Sequence, residues 1–196
     1  MLKIHSLPLG LYQTNCYIVH EDGSSHCIVI DPGFQPETIS DYLNAQGLTL
    51  DAILLTHGHF DHVGGVRVLA ADTDCRVFLC QEDLSMPPEM TAGPLYYTDT
   101  YGEGSHVEAA GLSLDVIHTP GHTPGSVCLM CEGCLFSGDT LFAGSCGRTD
   151  LPGGDMTAMQ ASLHRLSQLT ENYRVFPGHG ESTSLAEEKR YNPYLR

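Results

Sequence analysis

Four short apolar segments of this chain are each followed at once by a turn that carries histidine or aspartate. The first of them, residues 52–55, leads into the sequence THGHFDH at 56–62, where four metal-capable side chains lie within six positions. Short apolar runs of this kind are typical of buried strands, and a loop at the end of a rigid strand is a usual place for chemistry. The chain must therefore fold so that several buried strands end at one polar edge.

Three further segments repeat this arrangement of an apolar strand, a tight turn and a possible metal ligand. They lead to His122 in GHTPGS, to Asp139 in SGDTLF and to His179 in PGHG. Glycine and proline at these turns permit the sharp reversals that let side chains converge. The seven ligand-type side chains that these four strand ends would supply are His57, His59, Asp61, His62, His122, Asp139 and His179.

These seven ligand-type residues are too many for one tetrahedral zinc ion, which takes about four ligands. They suit two ions that share one carboxylate, and their imidazole and carboxylate groups suit zinc, iron or manganese. The alternative for residues 56–62 taken alone is a polar surface loop without a metal.

The four motifs H-x-H-x-D-H, G-H-T-P-G-S, S-G-D-T-L-F and P-G-H-G resemble, in this order and spacing, those of the metallo-β-lactamase superfamily. Within it the chain is most similar to the single-domain glyoxalase II-like hydrolases, from residues 10–17 to residues 192–193. The resemblance implies an α/β (α+β) fold, the αββα four-layer sandwich, with metals at one sheet edge. It implies a single domain over residues 1–196 without the C-terminal helical glutathione-binding domain, because only about 17 residues follow His179.

The resemblance also divides the ligands between two divalent ions, with zinc as the first candidate and iron or manganese as alternatives. It assigns one ion to His57, His59 and His122, the other to Asp61, His62 and His179, and a bridging position to Asp139.

Two further positions match the family outside the ligand set. Asp31, in the turn at 30–33, matches a carboxylate that hydrogen-bonds a ligand histidine, although Asp-Pro-Gly is also an ordinary turn sequence. Arg148 matches a basic substrate-contact position, and its planar guanidinium suits a substrate carboxylate. The alternative for Arg148 is a structural ion pair with Asp150 or Asp155.

Two such ions would lower the pKa of a bridging water, so that a hydroxide is available near neutral pH to attack a carbonyl. Asp61 is then both a ligand and the catalytic residue that orients this hydroxide. A thiolate leaves more easily than an amide nitrogen, so a thioester needs little general-acid help. The resemblance points the same way, to thioesters such as S-lactoylglutathione.

Three other functions remain open: a mono-iron persulfide dioxygenase, a lactonase and a non-catalytic metal-binding module. A β-lactamase is disfavoured by Asp139 at the bridging position and by an N-terminus without an export signal.

The formal net charge of −15 would repel a polyanion, so nucleic acid is not expected as a partner. No apolar stretch approaches the roughly 18 residues that span a bilayer. The sequence therefore predicts a cytoplasmic protein with a small-molecule thioester as its partner and no membrane partner, and it does not fix the oligomeric state.

The eight cysteines are expected to be reduced. Cys128, Cys131 and Cys134 could form a thiolate run for zinc or an iron–sulfur cluster, but a β-hairpin explains their spacing without a metal. Cys146 lies beside the expected centre. His118, four residues before His122, is expected to have a structural or supporting role.

The segment 85–106 is rich in proline and glycine and holds Tyr96, Tyr97 and Tyr101. Long loops inside compact domains are usually lids, binding loops or disordered segments. One interpretation is a flap that helps shape the substrate entrance, and the alternative is a surface loop remote from the site.

Hydrophobic periodicity and turn residues predict an alternating arrangement of strands and helices. Strands are predicted near 2–8, 14–20, 26–31, 51–56, 75–80, 112–118, 125–131, 133–138 and 173–176. Helices are predicted over 36–46, 62–71 and 155–169, with a last one beginning at Ser184.

Overall fold

The computed structural model describes residues 1–195 and contains two six-stranded sheets. In the first sheet the strands follow one another in sequence order, antiparallel from β1 to β3 and parallel from β3 to β6. These strands are β1 (Leu2–Leu9), β2 (Thr14–Glu21), β3 (His26–Ile30), β4 (Thr49–Leu54), β5 (Arg76–Cys80) and β6 (Asp99–Tyr101).

The second sheet is antiparallel except where β10 and β13 run parallel, in the order β7-β8-β9-β10-β13-β14. Its strands are β7 (His106–Ala109), β8 (Leu112–His118), β9 (Val127–Cys131), β10 (Cys134–Gly138), β13 (Arg174–Pro177) and β14 (Thr183–Ser184). A small ribbon of β11 (Leu141–Phe142) and β12 (Ser145–Cys146) follows β10.

Within residues 1–195, four longer helices cover the outer faces of the two sheets, and two helices of four residues lie in connecting segments. They are α1 (Pro36–Gln46), α2 (Phe60–Val63), α3 (Val66–Thr73), α4 (Pro88–Thr91), α5 (Met156–Ser167) and α6 (Leu185–Tyr191), with a 3₁₀ turn at Gln81–Ser85. Asp155 caps α5 by accepting the N–H groups of Thr157 and Ala158, and Ser184 caps α6 by accepting that of Glu187.

Three apolar clusters separate four layers. One lies between the sheets and includes Val19, Leu54 and Phe136; the second packs α1 and α3 on the first sheet, and the third packs α5 and α6 on the second. Alternate residues of the central strands enter different clusters, as the pleat of a strand requires. The αββα sandwich predicted from the sequence is confirmed, while the single-domain organisation stays a prediction.

The predicted helix over 62–71 was wrong in one respect, because it is two helices, α2 and α3. Gly64 and Gly65 lie between them, packed on the turn at 31–33. A Cβ on Gly64 would lie 2.3 Å from the Gly33 carbonyl oxygen, and one on Gly65 would lie 2.7 Å from that of Pro32. This close contact places α2 directly after the histidine-rich loop.

The segment 85–106 is not one continuous loop, since it contains α4 and β6 and reaches the start of β7. Tyr101 is buried in β6 and donates its hydroxyl to the Leu55 carbonyl at 2.5 Å. Tyr96 lies under the guanidinium of Arg67, 5.5 Å from the ring centroid. These contacts give Tyr96 and Tyr101 structural roles.

The three closely spaced cysteines lie on a β-hairpin, as the hairpin interpretation predicts. Cys131 pairs with Cys134 across β9 and β10. Cys128 points into the cluster under α5, whereas Cys131 and Cys134 point into the core between the sheets. They therefore do not converge on one ion, and all eight cysteines are unpaired with one another.

Within residues 1–195, no helix is long and apolar enough to cross a membrane.

Candidate metal centre

Seven side chains from distant parts of the sequence meet at the edge of the sandwich where β4, β8, β10 and β13 end. Their ligand atoms form three overlapping groups, and within each group the atoms lie within 4.8 Å of one another. The groups are His57, His59 and His122; His57, His62 and Asp139; and Asp61, His62 and His179. The structure thus brings together every predicted ligand, although metal binding by each of them stays a prediction.

The carboxylate of Asp139 lies between the two predicted ion positions. His59 Nδ1 lies 2.8 Å from His122 Nε2, and His62 Nε2 lies 3.3 Å from His179 Nε2. Asp139 reaches both pairs, with one oxygen 3.5 Å from His62 Nε2 and the other 3.4 Å from His122 Nε2. This is the position that a ligand shared by two ions requires.

Four of the histidines donate their Nδ1–H groups to oxygen atoms around the centre, so each neutral ring has its lone pair on Nε2. The donations are from His57 to Thr56 Oγ1 at 3.1 Å, His62 to Asp31 Oδ2 at 2.9 Å, His122 to the Arg148 carbonyl at 2.7 Å and His179 to the Tyr12 carbonyl at 3.1 Å. For His62 and His179, two lone pairs then face each other at 3.3 Å, which is repulsive unless a metal ion or a proton lies between them.

Three buried polar atoms of the centre have no hydrogen-bond partner in the part of the chain that the structure describes. They are His57 Nε2, His59 Nε2 and Asp139 Oδ1. A buried polar atom without a partner costs about 1–3 kcal/mol, so three together call for a group that the chain does not supply. Imidazole nitrogens and carboxylate oxygens are a donor set that fits divalent zinc, iron or manganese.

The electrostatics differ between the two halves of the centre. The first half contains His57, His59 and His122, and the second contains Asp61, His62 and His179. Burial and the neighbouring imidazoles lower the pKa of His57, and they lower that of His59 to about 4, so both stay neutral. Burial would also lower the pKa of His62, but the carboxylates of Asp139 and Asp31 outweigh it and raise the pKa to about 9. An ion that binds to His62 must therefore displace a proton.

Asp31 lies where the sequence predicts a supporting carboxylate. Besides accepting from His62, it accepts the Thr56 backbone N–H at 2.8 Å and the Thr56 hydroxyl at 2.6 Å. Because the Thr56 hydroxyl in turn accepts from His57, Asp31 controls the orientation of two histidines. Such contacts fix the imidazole tautomer and make the ligand more basic.

Asp83 is a buried carboxylate that the sequence analysis missed. It accepts the backbone N–H groups of Gly58 at 2.7 Å and Gly125 at 2.6 Å, and the hydroxyl of Thr123 at 3.0 Å. Burial raises its pKa, although these donors oppose the effect. Asp83 therefore joins the loop of His57 and His59 to the loop of His122. In the sequence, only its position shortly after the apolar β5 could have indicated this role.

We expect Asp83→Ala to destabilise the protein and to weaken the group of His57, His59 and His122. Two buried N–H groups would lose their acceptor, which should lower the free energy of unfolding by roughly 2–6 kcal/mol. Denaturant titration and metal analysis measure both effects. Asp72→Ala, which removes an exposed carboxylate from α3, should change neither, and an Asp83→Ala protein of wild-type stability would contradict the expectation.

The N-terminal segment supports the second half of the centre. The Thr14 hydroxyl donates to Asp61 Oδ2 at 3.0 Å. The Asn15 side chain donates to the carbonyls of Pro177 and Gly180 at 3.0 and 2.9 Å, on either side of His179. For residues 10–17 the sequence indicates only the family resemblance and a strand near 14–20, so this contact role was not predicted.

A cavity of about 520 Å³ opens over the centre. Besides side chains of the predicted ligand set, its walls include Tyr12, Phe60, Met90, Phe142, Ser145, Cys146, Arg148 and Leu151. None of Tyr96, Tyr97 and Tyr101 is among the lining residues, so these tyrosines do not form the cavity wall, and a flap role for the segment stays a prediction. The segment 85–106 instead reaches the cavity through Met90 of α4.

Arg148 makes one of the predicted ion pairs and also lies at the wall of the cavity. Its guanidinium makes a bidentate ion pair with Asp150 at 2.7 Å, and it also lines the cavity. The pair is exposed, and exposed ion pairs contribute little to stability. Asp155 is the cap of α5 and not the partner. The contact between Arg148 and a substrate stays a prediction.

Comparison with known sequences places this architecture in a family. The model of the metallo-beta-lactamase superfamily matches residues 9–179. "Probable metallo-hydrolase YqgX" of Bacillus subtilis strain 168 is 36% identical over 210 positions, which cover 99% of this chain and 98% of that protein. The hydroxyacylglutathione hydrolase GloC of Haemophilus influenzae is 31% identical over 209 positions, which cover 99% and 98%.

Solved structures agree with the sequence comparison. The BLEG-1 B3 metallo-beta-lactamase is 37% identical with a TM-score of 0.89, and the alignment covers 100% of this chain and 99% of that one. TTHA1623, solved in a di-iron-bound form, is 40% identical with a TM-score of 0.85 over 97% and 100%. ETHE1 from Myxococcus xanthus is 28% identical with a TM-score of 0.82 over 97% and 83%. The chain is therefore a member of the metallo-β-lactamase superfamily of metal-dependent hydrolases.

Proposed function

We propose that the chain is a binuclear metal-dependent hydrolase of thioesters, with S-lactoylglutathione as the first candidate substrate. The observation that carries the proposal is the position of Asp139, whose two oxygens reach His62 and His122 from the two halves of the centre. The similarity to the hydroxyacylglutathione hydrolase of Haemophilus influenzae supports the substrate class, and the di-iron form of TTHA1623 supports two ions. Zinc is the proposed metal, with iron or manganese as alternatives.

Two divalent ions in this centre would lower the pKa of a shared water towards neutrality and polarise a carbonyl oxygen. Asp61 is the proposed catalytic residue, and the Thr14 hydroxyl at 3.0 Å fixes the orientation of its carboxylate. Its Oδ2 atom lies 3.3 Å from His179 Nε2, on the cavity side of the centre. Asp61 is thus positioned to accept a hydrogen bond from the attacking water and to orient it.

The histidines of the cavity favour a leaving group that needs no proton from an imidazole. Among the described residues that line it, each histidine belongs to the predicted ligand set, namely His59, His122 and His179. None of these is therefore free to protonate a departing amide nitrogen. A thiolate, whose conjugate acid has a pKa near 8.5, leaves without that help. A thioester is therefore favoured over an amide.

Two alternatives rest on specific similarities. The likeness to ETHE1 from Myxococcus xanthus keeps the mono-iron dioxygenase open, and the likeness to the BLEG-1 β-lactamase keeps a lactam in the test. The dioxygenase is disfavoured because the ligand set that we propose for the second ion, Asp61, His62 and His179, is assembled here. A lactonase and a non-catalytic metal-binding module are the remaining outcomes.

The experiment is a substrate panel on protein loaded in turn with zinc, iron and manganese. S-lactoylglutathione, an aryl ester, a homoserine lactone, a β-lactam and glutathione persulfide are compared, the last by oxygen uptake. We expect the thioester to be turned over fastest. Oxygen uptake without thioester hydrolysis would show a dioxygenase, preference for the lactone or the lactam would reassign the enzyme, and inactivity with metals bound would leave the metal-binding module.

If Arg148 binds a substrate carboxylate, Arg148→Ala should raise KM for glutathione thioesters by roughly ten-fold, about the value of one hydrogen bond to a charged group. Metal content and kcat should be preserved, and lysine should restore KM only in part because it lacks the planar fork. Arg76→Ala is the matched control, since Arg76 makes the same bidentate pair with Asp99 away from the cavity. Equal KM values for Arg148→Ala and the wild type would show that Arg148 does not bind the substrate and serves only in the ion pair with Asp150.

The proposal includes a cytoplasmic location and a small-molecule thioester as the partner, with no nucleic acid and no membrane partner. The net charge of −15 supports the exclusion of nucleic acid.

A further inference from the structure

A second cluster of metal-capable side chains lies outside the seven-residue centre. Ligand atoms of Cys80, Glu82 and His118 all lie within 4.8 Å of one another. Cys80 ends β5 of the first sheet, and His118 ends β8 of the second. None of the three belongs to the predicted ligand set of the main centre, and the proposed hydrolysis does not use them.

The pleat of each sheet explains why these strand ends meet. Phe78 and Cys80 of β5 face the core between the sheets, as do Leu114 and Val116 of β8. Side chains two positions apart lie on the same face of a strand, so His118 continues the row of Leu114 and Val116. Cys80 and His118 therefore face each other across the gap between the sheets, and the 3₁₀ turn adds Glu82 from the side.

The chemistry of the three groups is that of a metal site. The Cys80 thiol is fully buried and donates to Glu82 Oε2 at 3.0 Å. His118 donates its Nε2–H to the Pro124 carbonyl at 2.8 Å, so the neutral ring has its lone pair on Nδ1. Thiolate, imidazole and carboxylate together suit zinc and ions that resemble it. Glu82 is exposed, which leaves a side for water as the fourth ligand.

We propose that Cys80, Glu82 and His118 form a third metal site that takes a borderline divalent ion such as zinc or cobalt. Binding forms a metal–sulfur bond and releases the Sγ proton to solvent, one proton for each ion. The ion would connect the two sheets directly behind the active-site loops. Asp83, which joins those loops, follows Glu82 in sequence, and Pro124 belongs to the loop of His122.

The test uses cobalt, because a thiolate bound to Co²⁺ gives an intense charge-transfer band in the near ultraviolet. The predicted ligands of the main centre include no thiolate. The whole chain, freed of metal, is titrated with Co²⁺ alone to three equivalents while the spectrum and proton release are recorded. We expect the band in the wild type and in Cys146→Ser, which removes the cysteine of the main cavity, and its complete loss in Cys80→Ser.

A wild type without the band at saturation, or a band that survives in Cys80→Ser, would overturn the proposal, and so would its loss in Cys146→Ser. If Cys80→Ser does not fold, Glu82→Gln replaces it, since Glu82 is exposed and its substitution leaves the core intact. Glu82→Gln should weaken cobalt binding at this site by at least about ten-fold, and unchanged binding would count against the site. None of these readouts depends on the reaction at the main centre.

Discussion

Replacing Asp139 by alanine is expected to remove more than one bound ion relative to the wild type. Its oxygens lie 3.5 Å from His62 Nε2 and 3.4 Å from His122 Nε2, so one side chain serves both halves of the centre. A metal ion contributes several kcal/mol of transition-state stabilisation, so we expect kcat/KM for the thioester to fall by roughly a thousand-fold or more. Elemental analysis of the purified variant and steady-state kinetics measure the two effects.

Asp115→Ala is the control for this change. Asp115 lies on β8, whose end leads to the loop of His122, and its side chain is 66% exposed. The variant should keep the wild-type metal content and kcat/KM. Loss of only one ion from Asp139→Ala, with the other bound at wild-type affinity, would show that Asp139 serves a single position and would contradict the bridging role.

Gly178→Ala is expected to have the second large effect, although it adds only one methyl group. A Cβ at this position would lie 2.2 Å from Asp139 Oδ1 and 2.7 Å from His62 Cε1. Both distances are far shorter than van der Waals contact, so one of these side chains or the loop must move. Because both are predicted ligands, we expect metal affinity to fall by about a hundred-fold, the upper range for disturbed ligand positioning. Competition with a chromophoric chelator measures this affinity.

Gly180→Ala separates this steric effect from backbone strain in the same loop. Gly180 has a φ of 78°, but within residues 1–195 no atom beyond its own chain neighbours lies within 4 Å of the position of an added Cβ. The variant should lose about 1–2 kcal/mol of stability to the left-handed backbone and keep its metals. Native metal affinity in Gly178→Ala would refute the steric argument, and an equal loss in both variants would assign the effect to the loop backbone.

The convergence of the seven ligand-type side chains could be predicted because the signal is local. In each of the four apolar strands a histidine or aspartate follows shortly after the strand ends. Because these ends lie at one edge of the sandwich, the side chains come together there whatever loops connect the strands. The two-sheet sandwich came from the family resemblance, since periodicity alone indicates only a mixed α/β chain.

The supporting contacts could not be predicted because they join distant parts of the chain. Asp83 bonds residues 25 and 42 positions away, and Thr14 reaches Asp61 across 47 positions. Nothing near Asp83 distinguishes it from Glu82, its exposed neighbour. The break between α2 and α3 depends on a backbone contact with the turn at 31–33, which the helical periodicity of 62–71 does not show.

Thioester turnover measured against the number of ions bound tests the central claim most directly. Metal-free Cys80→Ser protein, in which the third site lacks its sulfur, is titrated with zinc while S-lactoylglutathione hydrolysis and bound metal are recorded together. The binuclear account predicts that hydrolysis rises steeply only as the second ion binds and stops increasing at two ions per chain. Full hydrolysis with one ion, or no hydrolysis with two bound, would contradict it.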